Sequence, residues 1–484
     1  MHGFDTRGSN VPDGILAPEG RFGRLFPALN PRNPTGDALA EQMGAVGGPM
    51  DAGAAADPST NLDAGFTFLA QFIDHDLDFD PTSSLERQAD PNAITNFRTP
   101  ALDLDNVYGS GPTATPYIYD NTSGGAKLLV NDTDLARNAQ GMALIGDPRN
   151  DENMILSQLE LAFMKCHNAI VDGLMAGTFS DVTGAPAQTN EDTTGGENTV
   201  FLAAQQLLRW HYQWMVLHEF LPLICGDEVV DDILAHGPRF FRPSKKHEPF
   251  IPVEFSVAAY RFGHATIRAN YDVNPAHLGV PLFPVNPAAP ATPRTDLRGG
   301  PVDPSFAVQW ANFFRRDPAH PPQKAKRIEP LLNSLLLDLP NGVIPANVVV
   351  PLRSLATRNL LRSEALMVPA GQDVARALGV TKPLEAADLR AVATSVGAAT
   401  PLPLTDEQLR SCYLWYYLLA EAYHEQNGDR LGEAGARIVA EVIVGVIDAD
   451  ALSYRNMYPK WTPTLPSAEA GMFTIVDLLN LAGV

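Results

Sequence analysis

Gln71-Phe72-Ile73-Asp74-His75-Asp76-Leu77-Asp78 decides how this chain is read. One histidine sits among three carboxylates within a helical apolar run made by Phe66, Phe68, Leu69, Phe72, Ile73 and Leu77. An unpaired buried charge is costly, so carboxylates are normally kept off such faces. Their presence here points to a cation, a cofactor or a wet surface. Gln71 and His75 are spaced i and i+4 and reach the same side of a helix. Asp74 and Asp76 diverge from that side by about 100° in either direction. One short helix can therefore present a polar pair to one ligand and carboxylates to another.

Composition narrows the function classes. The chain has 484 residues, a formal charge of −21 and three cysteines. The acidity argues against nucleic acid and against an anionic membrane surface, since both need concentrated Lys and Arg. The best apolar run, Ile438 to Leu452, is interrupted by Glu441, Asp448 and Asp450, and falls short of the roughly 18 apolar residues that span a bilayer. Cys166, Cys225 and Cys412 are too scattered for a disulfide framework or a cysteine zinc site, and are expected to fill small apolar gaps. Residues 1–20 lack a signal-peptide core, so the expectation is a cytoplasmic or non-classically exported protein.

Helical periodicity recurs at 64–77, 151–176, 198–223, 255–268, 305–315, 405–424 and 430–447, whereas strand alternation is nearly absent. Long connections dense in Pro, Gly, Asn and Asp cover 80–148, 176–197 and 269–304. Loops of that length usually wrap a functional site or a partner. The expected fold is mainly α: one large helical domain over 61–484 with long loops and little β structure, preceded by an extended arm over 1–60 with a short helix near 36–43.

Three further groups carry candidate chemistry. Asp74, Asp76, Asp78 and Asp80 alternate as at the start of an EF-hand, but Phe79 and Leu85 stand where that loop needs Gly and Glu, which excludes it. A loop presenting Thr99, Asp103 and Asp105 could instead close over Asp76 and complete a hard-cation shell. Asp147-Pro148-Arg149 reads as a helix start, with Glu152 in the first turn. Arg149 facing a cavity there would offer a fixed charge to an anion. In Tyr260-Arg261-Phe262-Gly263-His264, the histidine reads either as a core residue or as a ligand beside a glycine that admits a flat group. The remaining histidines show no metal-ligand spacing, and no HExxH, P-loop, GxSxG or GxGxxG motif of useful specificity occurs.

The order of these segments resembles the animal-type haem peroxidase (peroxidase–cyclooxygenase) superfamily. Gln-x-x-Asp-His-Asp is followed by the Thr/Asp loop ending in Val107-Tyr108-Gly109-Ser110, then by Arg149-x-x-Glu152 leading to His167-Asn168, and then by Arg261-Phe-Gly-His264. Asn359-Leu-Leu-Arg362 resembles the segment behind the proximal ligand, and Arg437 to Gly445 a late core helix of bacterial members. The likeness runs from about Arg21 to about residue 465.

The resemblance implies a haem b enzyme that reduces hydrogen peroxide. His75 would be the distal histidine, Arg149 the distal arginine, Gln71 a distal-cavity residue and His264 the proximal iron ligand. Asp74 and Glu152 match the carboxylates that form esters to haem. Asp76, Thr99, Asp103, Asp105 and the carbonyl of Ala101 match a Ca²⁺ shell. Asn359 matches the partner of the proximal ring N–H, with Gln372 as the other amide nearby in sequence. Two departures bear on substrate. Asn153 replaces the Met that makes a sulfonium link in myeloperoxidase-like members, which disfavours chloride and leaves iodide, bromide, thiocyanate or phenols as donors. Arg261 stands where the fatty-acid oxygenase branch has a radical-forming Tyr, and Tyr260 is one step too early to share its direction. Peroxidase is therefore the expectation, with a fatty-acid dioxygenase or a non-catalytic calcium-dependent scaffold as alternatives.

Overall fold

Helix takes 47% of the described residues and strand 8%, which makes the fold mainly α, as the periodicity predicts. The structure is a computed structural model that describes residues 20–53, 58–80, 94, 96–185, 199–243, 249–284, 295–341, 343–345 and 347–484. Residues 1–19 and 54–57 of the expected arm lie outside them. The longer helices are α1 (Asp37–Gly44), α2 (Gly65–Leu77), α3 (Met154–Met175), α4 (Thr199–Met215), α5 (Asp227–His236), α6 (Leu355–Ala365), α7 (Gly371–Leu378), α8 (Ala386–Ser395), α9 (Leu414–Gln426), α10 (Glu433–Ala449) and α11 (Ile475–Leu481). Strands pair only in twos: Phe22–Gly23 with Ile251–Pro252, Pro58–Asp63 with Lys324–Lys326, and Asn270–Tyr271 with Val280–Pro281. Among the described residues no helix is long and apolar enough to cross a membrane.

α2 is buried along almost its whole length, packed against α3 and the 3-10 segment Ala259–His264. Phe72 stacks on Phe163 of α3 with ring centroids 4.2 Å apart, and Tyr212 of α4 meets both rings edge-on. Such pairs add about 0.5–1.5 kcal/mol each beyond area burial. α9 and α10 pack together and against the turn that carries His264. The N-terminal segment is tied to that same region: the buried Glu254 carboxylate accepts from the amides of Leu25 (2.9 Å) and Phe26 (3.2 Å). All three cysteines are free and buried, in keeping with their expected role as space fillers.

Where the apolar pattern misled, the cause is local. The expected helix at 305–315 is two 3-10 turns, Pro304–Phe306 and Trp310–Asn312. Its amides and carbonyls pair outward, Gln309 N with Val273 O and Gln323 N with Asn312 O, so the apolar spacing reflects burial alone. The expected helix at 255–268 is one turn, Val253–Ser256, then a 3-10 segment Ala259–His264, with Ala258 at φ −131°, ψ −76° between them. The helix expected at 198–223 widens into a π segment at Val216–Phe220. Pro222 lies just beyond, and its ring clashes with the carbonyl four residues back, which favours the wider register.

Gly65 opens α2 at a point where a Cβ would lie 2.4 Å from the Phe314 ring. Gly65→Val should therefore lower stability by about 1–3 kcal/mol through overpacking. Urea unfolding checks this, and an unchanged midpoint would count against the tight seat of α2.

Candidate active site

His75, Asp74 and Asp76 leave α2 in three directions and meet three different surroundings. The His75 ring is buried, with Nδ1 2.7 Å from Oδ1 of Asn150. The amide nitrogen of Asn150 donates to Oε2 of Glu160 at 2.8 Å, which turns its oxygen toward the histidine. Nδ1 therefore carries the proton, and Nε2 keeps its lone pair. Burial, then the Arg149 charge, push the imidazole down to about 3, so it is neutral across the physiological range.

Arg149 enters from a 3-10 turn, Pro148–Asp151, capped by Asp147, whose carboxylate accepts from the Arg149 amide. The guanidinium is fixed by Asp147 (2.8 Å) and by the carbonyls of Asp78 (2.8 Å) and His75 (3.2 Å), and stacks over Phe79 at 4.3 Å. Burial alone would raise Asp147, but the charges of Arg149 and Arg98 outweigh it and hold the carboxyl well below its usual range. Gln71 joins this side by donating to Glu152 (3.2 Å) and accepting from Asn153 (3.1 Å). Asn153 also caps α3 through its side-chain oxygen, a job a methionine at that position could not perform. Glu152 is exposed and lines the cavity, yet the protein packed around it raises its carboxyl to about 7.

Asp74 is held by Arg261 Nη1 at 2.9 Å. Three residues after Arg261, the 3-10 segment presents His264, whose Nδ1 lies 2.8 Å from the side-chain amide of Asn359 on α6. The amide nitrogen faces Nδ1 here, and a half-turn of the amide would present its oxygen instead, letting Nδ1 donate and leaving Nε2 to accept a ligand. Gln372 is elsewhere, bonded to Leu384, Leu409 and Cys412. Burial, then Arg261, lower His264 to about 3.

Gln71, Asp74, His75, Arg149, Glu152, His264 and Asn359 all line one cavity of about 1380 Å³. Gly263 lies on its wall, and a Cβ there would meet nothing within 4 Å, so the surface beside His264 is open to a flat group. Aliphatic residues Leu336, Leu339, Val343, Ile344 and Leu355 complete the wall. Tyr260 also reaches it. Its hydroxyl is buried without a hydrogen-bond partner among the described residues.

Asp76 points away from the cavity toward Asp103 and Asp105, and one oxygen from each of the three lies within 4.8 Å of the others. Leu104, between the last two, is left-handed at φ 62°, a conformation costly for a bulky side chain that turns both carboxylates onto one point. Thr99 and Ala101 lie on the same loop, and the Thr99 amide donates to Asp105 at 3.1 Å. Both Asp76 oxygens are buried without a hydrogen-bond partner among the described residues. Burial, then the charges of Asp103 and Asp105, raise Asp76 well above the normal range. Arg98 stands between this cluster and the cavity, 3.5 Å from Asp105 and 2.5 Å from Asp147. Sequence reasoning missed Arg98, Asn150 and Glu160. Glu160 had one visible signal, a carboxylate inside the apolar stripe of 151–176.

Residues 82–279 match the sequence profile of the family described as animal haem peroxidase. Thyroid peroxidase of Homo sapiens is 26% identical over 286 residues, covering 52% of this chain and 28% of that protein. Thyroid peroxidase of Sus scrofa is 26% identical over 401 residues, covering 75% of this chain and 38% of that protein. The chain thus spans about a third of the length of these relatives. In fold it is similar to peroxidase A from Dictyostelium discoideum, with a TM-score of 0.58 at 15% identity over 96% of this chain and 93% of that one. It is equally similar to a fatty acid alpha-dioxygenase from Arabidopsis thaliana, with a TM-score of 0.61 at 15% identity over 95% and 80%. The profile match over residues 82–279, the curated relatives and the shared fold together make this chain similar to the animal-type haem peroxidase (peroxidase–cyclooxygenase) superfamily.

Proposed function

We propose that this protein is a haem peroxidase that reduces hydrogen peroxide and oxidises small donors such as iodide, bromide, thiocyanate or phenols. The observation that carries the reading is a single cavity lined by two neutral imidazoles, each tethered at Nδ1 by an asparagine and so left with Nε2 to use. His264 would hold the haem iron through Nε2, with Asn359 accepting the Nδ1 proton and setting how basic the ligand is. The bound iron porphyrin supplies the electrons that cleave the peroxide bond. His75 takes a proton from one peroxide oxygen and returns it to the other, a general base and then a general acid. Arg149, held by Asp147, keeps a fixed positive charge where negative charge develops. Asn153 in place of a sulfur donor leaves no sulfonium link, and chloride is accordingly a poor substrate in this reading.

A second reading, fatty-acid dioxygenation, is favoured by the aliphatic wall and by Tyr260 at the cavity surface. Stopped-flow absorbance of the haem-loaded protein separates the two. Peroxide should react rapidly and the product should decay with iodide, bromide, thiocyanate or a phenol. His75→Ala should slow the first step by about 10²–10⁴-fold, and His264→Ala should abolish haem retention. Oxygen uptake with a long-chain fatty acid, without peroxide-driven donor oxidation, would overturn the peroxidase assignment.

Either Asp74 or Glu152 could tether the cofactor by an ester. Glu152 is the better placed, because Asp74 is already engaged by Arg261 whereas, among the described residues, Glu152 bonds the neutral Gln71. After peroxide treatment, acid–acetone should release haem from Glu152→Gln but leave a fraction bound in Asp74→Asn. The reverse pattern would assign the ester to Asp74.

Asp76, Asp103 and Asp105 suit a hard cation, with Ca²⁺ the natural choice for an all-oxygen set that includes Thr99 and the Ala101 carbonyl. Because the folded-state carboxyls of Asp76 and Asp103 are raised, their contribution to stability is full at acid pH and is lost as pH rises through those values. Ca²⁺ offsets that loss by pairing with the ionised forms. Its stabilisation should approach about 2.7 kcal/mol at one hundred times Kd at pH 7.5, and shrink at pH 5. Thermal melts with and without chelator, on wild type and Asp76→Asn, check this; an equal shift at both pH values would contradict it.

A further inference from the structure

Glu160 lies in the second turn of α3, fully buried, in a stripe otherwise made of Leu156, Leu159, Leu161 and Phe163. Burying a carboxylate there is costly. Its hydrogen-bond partner among the described residues is Asn150, at 2.8 Å, while its other oxygen has none. It caps no helix: Asn153 caps α3, and Asp147 caps the turn before it. Asn150 is equally buried and equally free of a capping duty. Its side chain does one thing, to join Glu160 to Nδ1 of His75.

We infer that Glu160 and Asn150 form a relay that fixes the tautomer and orientation of His75, so that its Nε2 lone pair is presented to the cavity. Both are positioning residues, and the inference rests on the reading of His75 as the group that moves peroxide protons. The directionality is chemical. Burial raises the Glu160 carboxyl to about 8, and whether ionised or protonated on its unbonded Oε1 it accepts through Oε2, so the Asn150 amide nitrogen faces Glu160 and its oxygen faces His75. An amide oxygen also only accepts, so Nδ1 must carry the proton. Free imidazole has no such constraint, and the other tautomer would point an N–H into the cavity where a base is required. Burial favours the relay again, because each bond in a low-dielectric interior is stronger than in water and an unmade one is more costly.

The test uses the full-length, cofactor-free protein with ¹⁵N-labelled histidine rings. Long-range ¹H–¹⁵N spectra report which ring nitrogen is protonated, and His75→Gln assigns the signal. Wild type and Glu160→Gln, which keeps an acceptor, should show Nδ1–H at His75. Asn150→Ala and Glu160→Leu should show Nε2–H or a mixture. Circular-dichroism melts check folding, and if Glu160→Leu fails to fold, Asn150→Ala decides. Nε2–H in the wild type, or an Asn150→Ala spectrum identical to wild type, would overturn the inference. In haem-loaded protein, Asn150→Ala should slow the reaction with peroxide roughly tenfold or more with the iron-ligand spectrum unchanged. Because the ring spectrum needs neither haem nor peroxide, a protein without peroxidase activity could still pass it, which separates this inference from the proposed function.

Discussion

Successive residues of an α-helix leave it about 100° apart, and the site depends on that constraint at three consecutive positions of α2. Asp74 turns to Arg261, His75 to Asn150, and Asp76 to the Asp103–Asp105 turn. Rotating or sliding α2 by one residue would exchange all three partners at once. Phe72, wedged against Phe163 and Tyr212, resists such a slip, and the glycine at position 65 lets the helix begin flush against Phe314.

The charges around α2 are coupled rather than paired one by one. Arg98 faces Asp105 on one side and Asp147 on the other, and Asp147 in turn holds Arg149. Three carboxylates crowd one end of this chain of contacts, and a cavity guanidinium stands at the other. A cation bound at the acid cluster would therefore act on the position of Arg149 through two guanidinium–carboxylate contacts, as well as on His75 through the peptide bond it shares with Asp76. Asp105 and Asp147 are balanced by arginines within the network, whereas Asp76 has no such partner among the described residues.

The two imidazoles of the cavity are handled alike by different means. Both are neutral because they are buried beside arginines, and both have Nδ1 taken by an asparagine. Asn359 is reached from a separate helix nearly a hundred residues away, whereas Asn150 follows Arg149 directly, so one turn supplies both a charge and an orienting amide. In the proposed reading, the amide behind His264 suits a steady ligand, and the Glu160-backed amide behind His75 suits a group that exchanges a proton.

The sequence by itself determined the helical class, the buried status of the cysteines, and the three-way divergence of Asp74, His75 and Asp76, because these follow from local periodicity and helix geometry. The order of its motifs also pointed to the family. It did not determine that 305–315 would be non-helical, since apolar spacing records burial and not backbone pairing. Nor did it show that Tyr260 reaches the cavity, because a 3-10 turn rotates side chains by a different step from an α-helix. Only the tertiary structure chose Asn359 over Gln372, set Arg261 on Asp74, and joined His75 to Glu160 through Asn150. Those choices depend on which surfaces meet across tens to hundreds of residues, a relation that spacing along the chain does not encode.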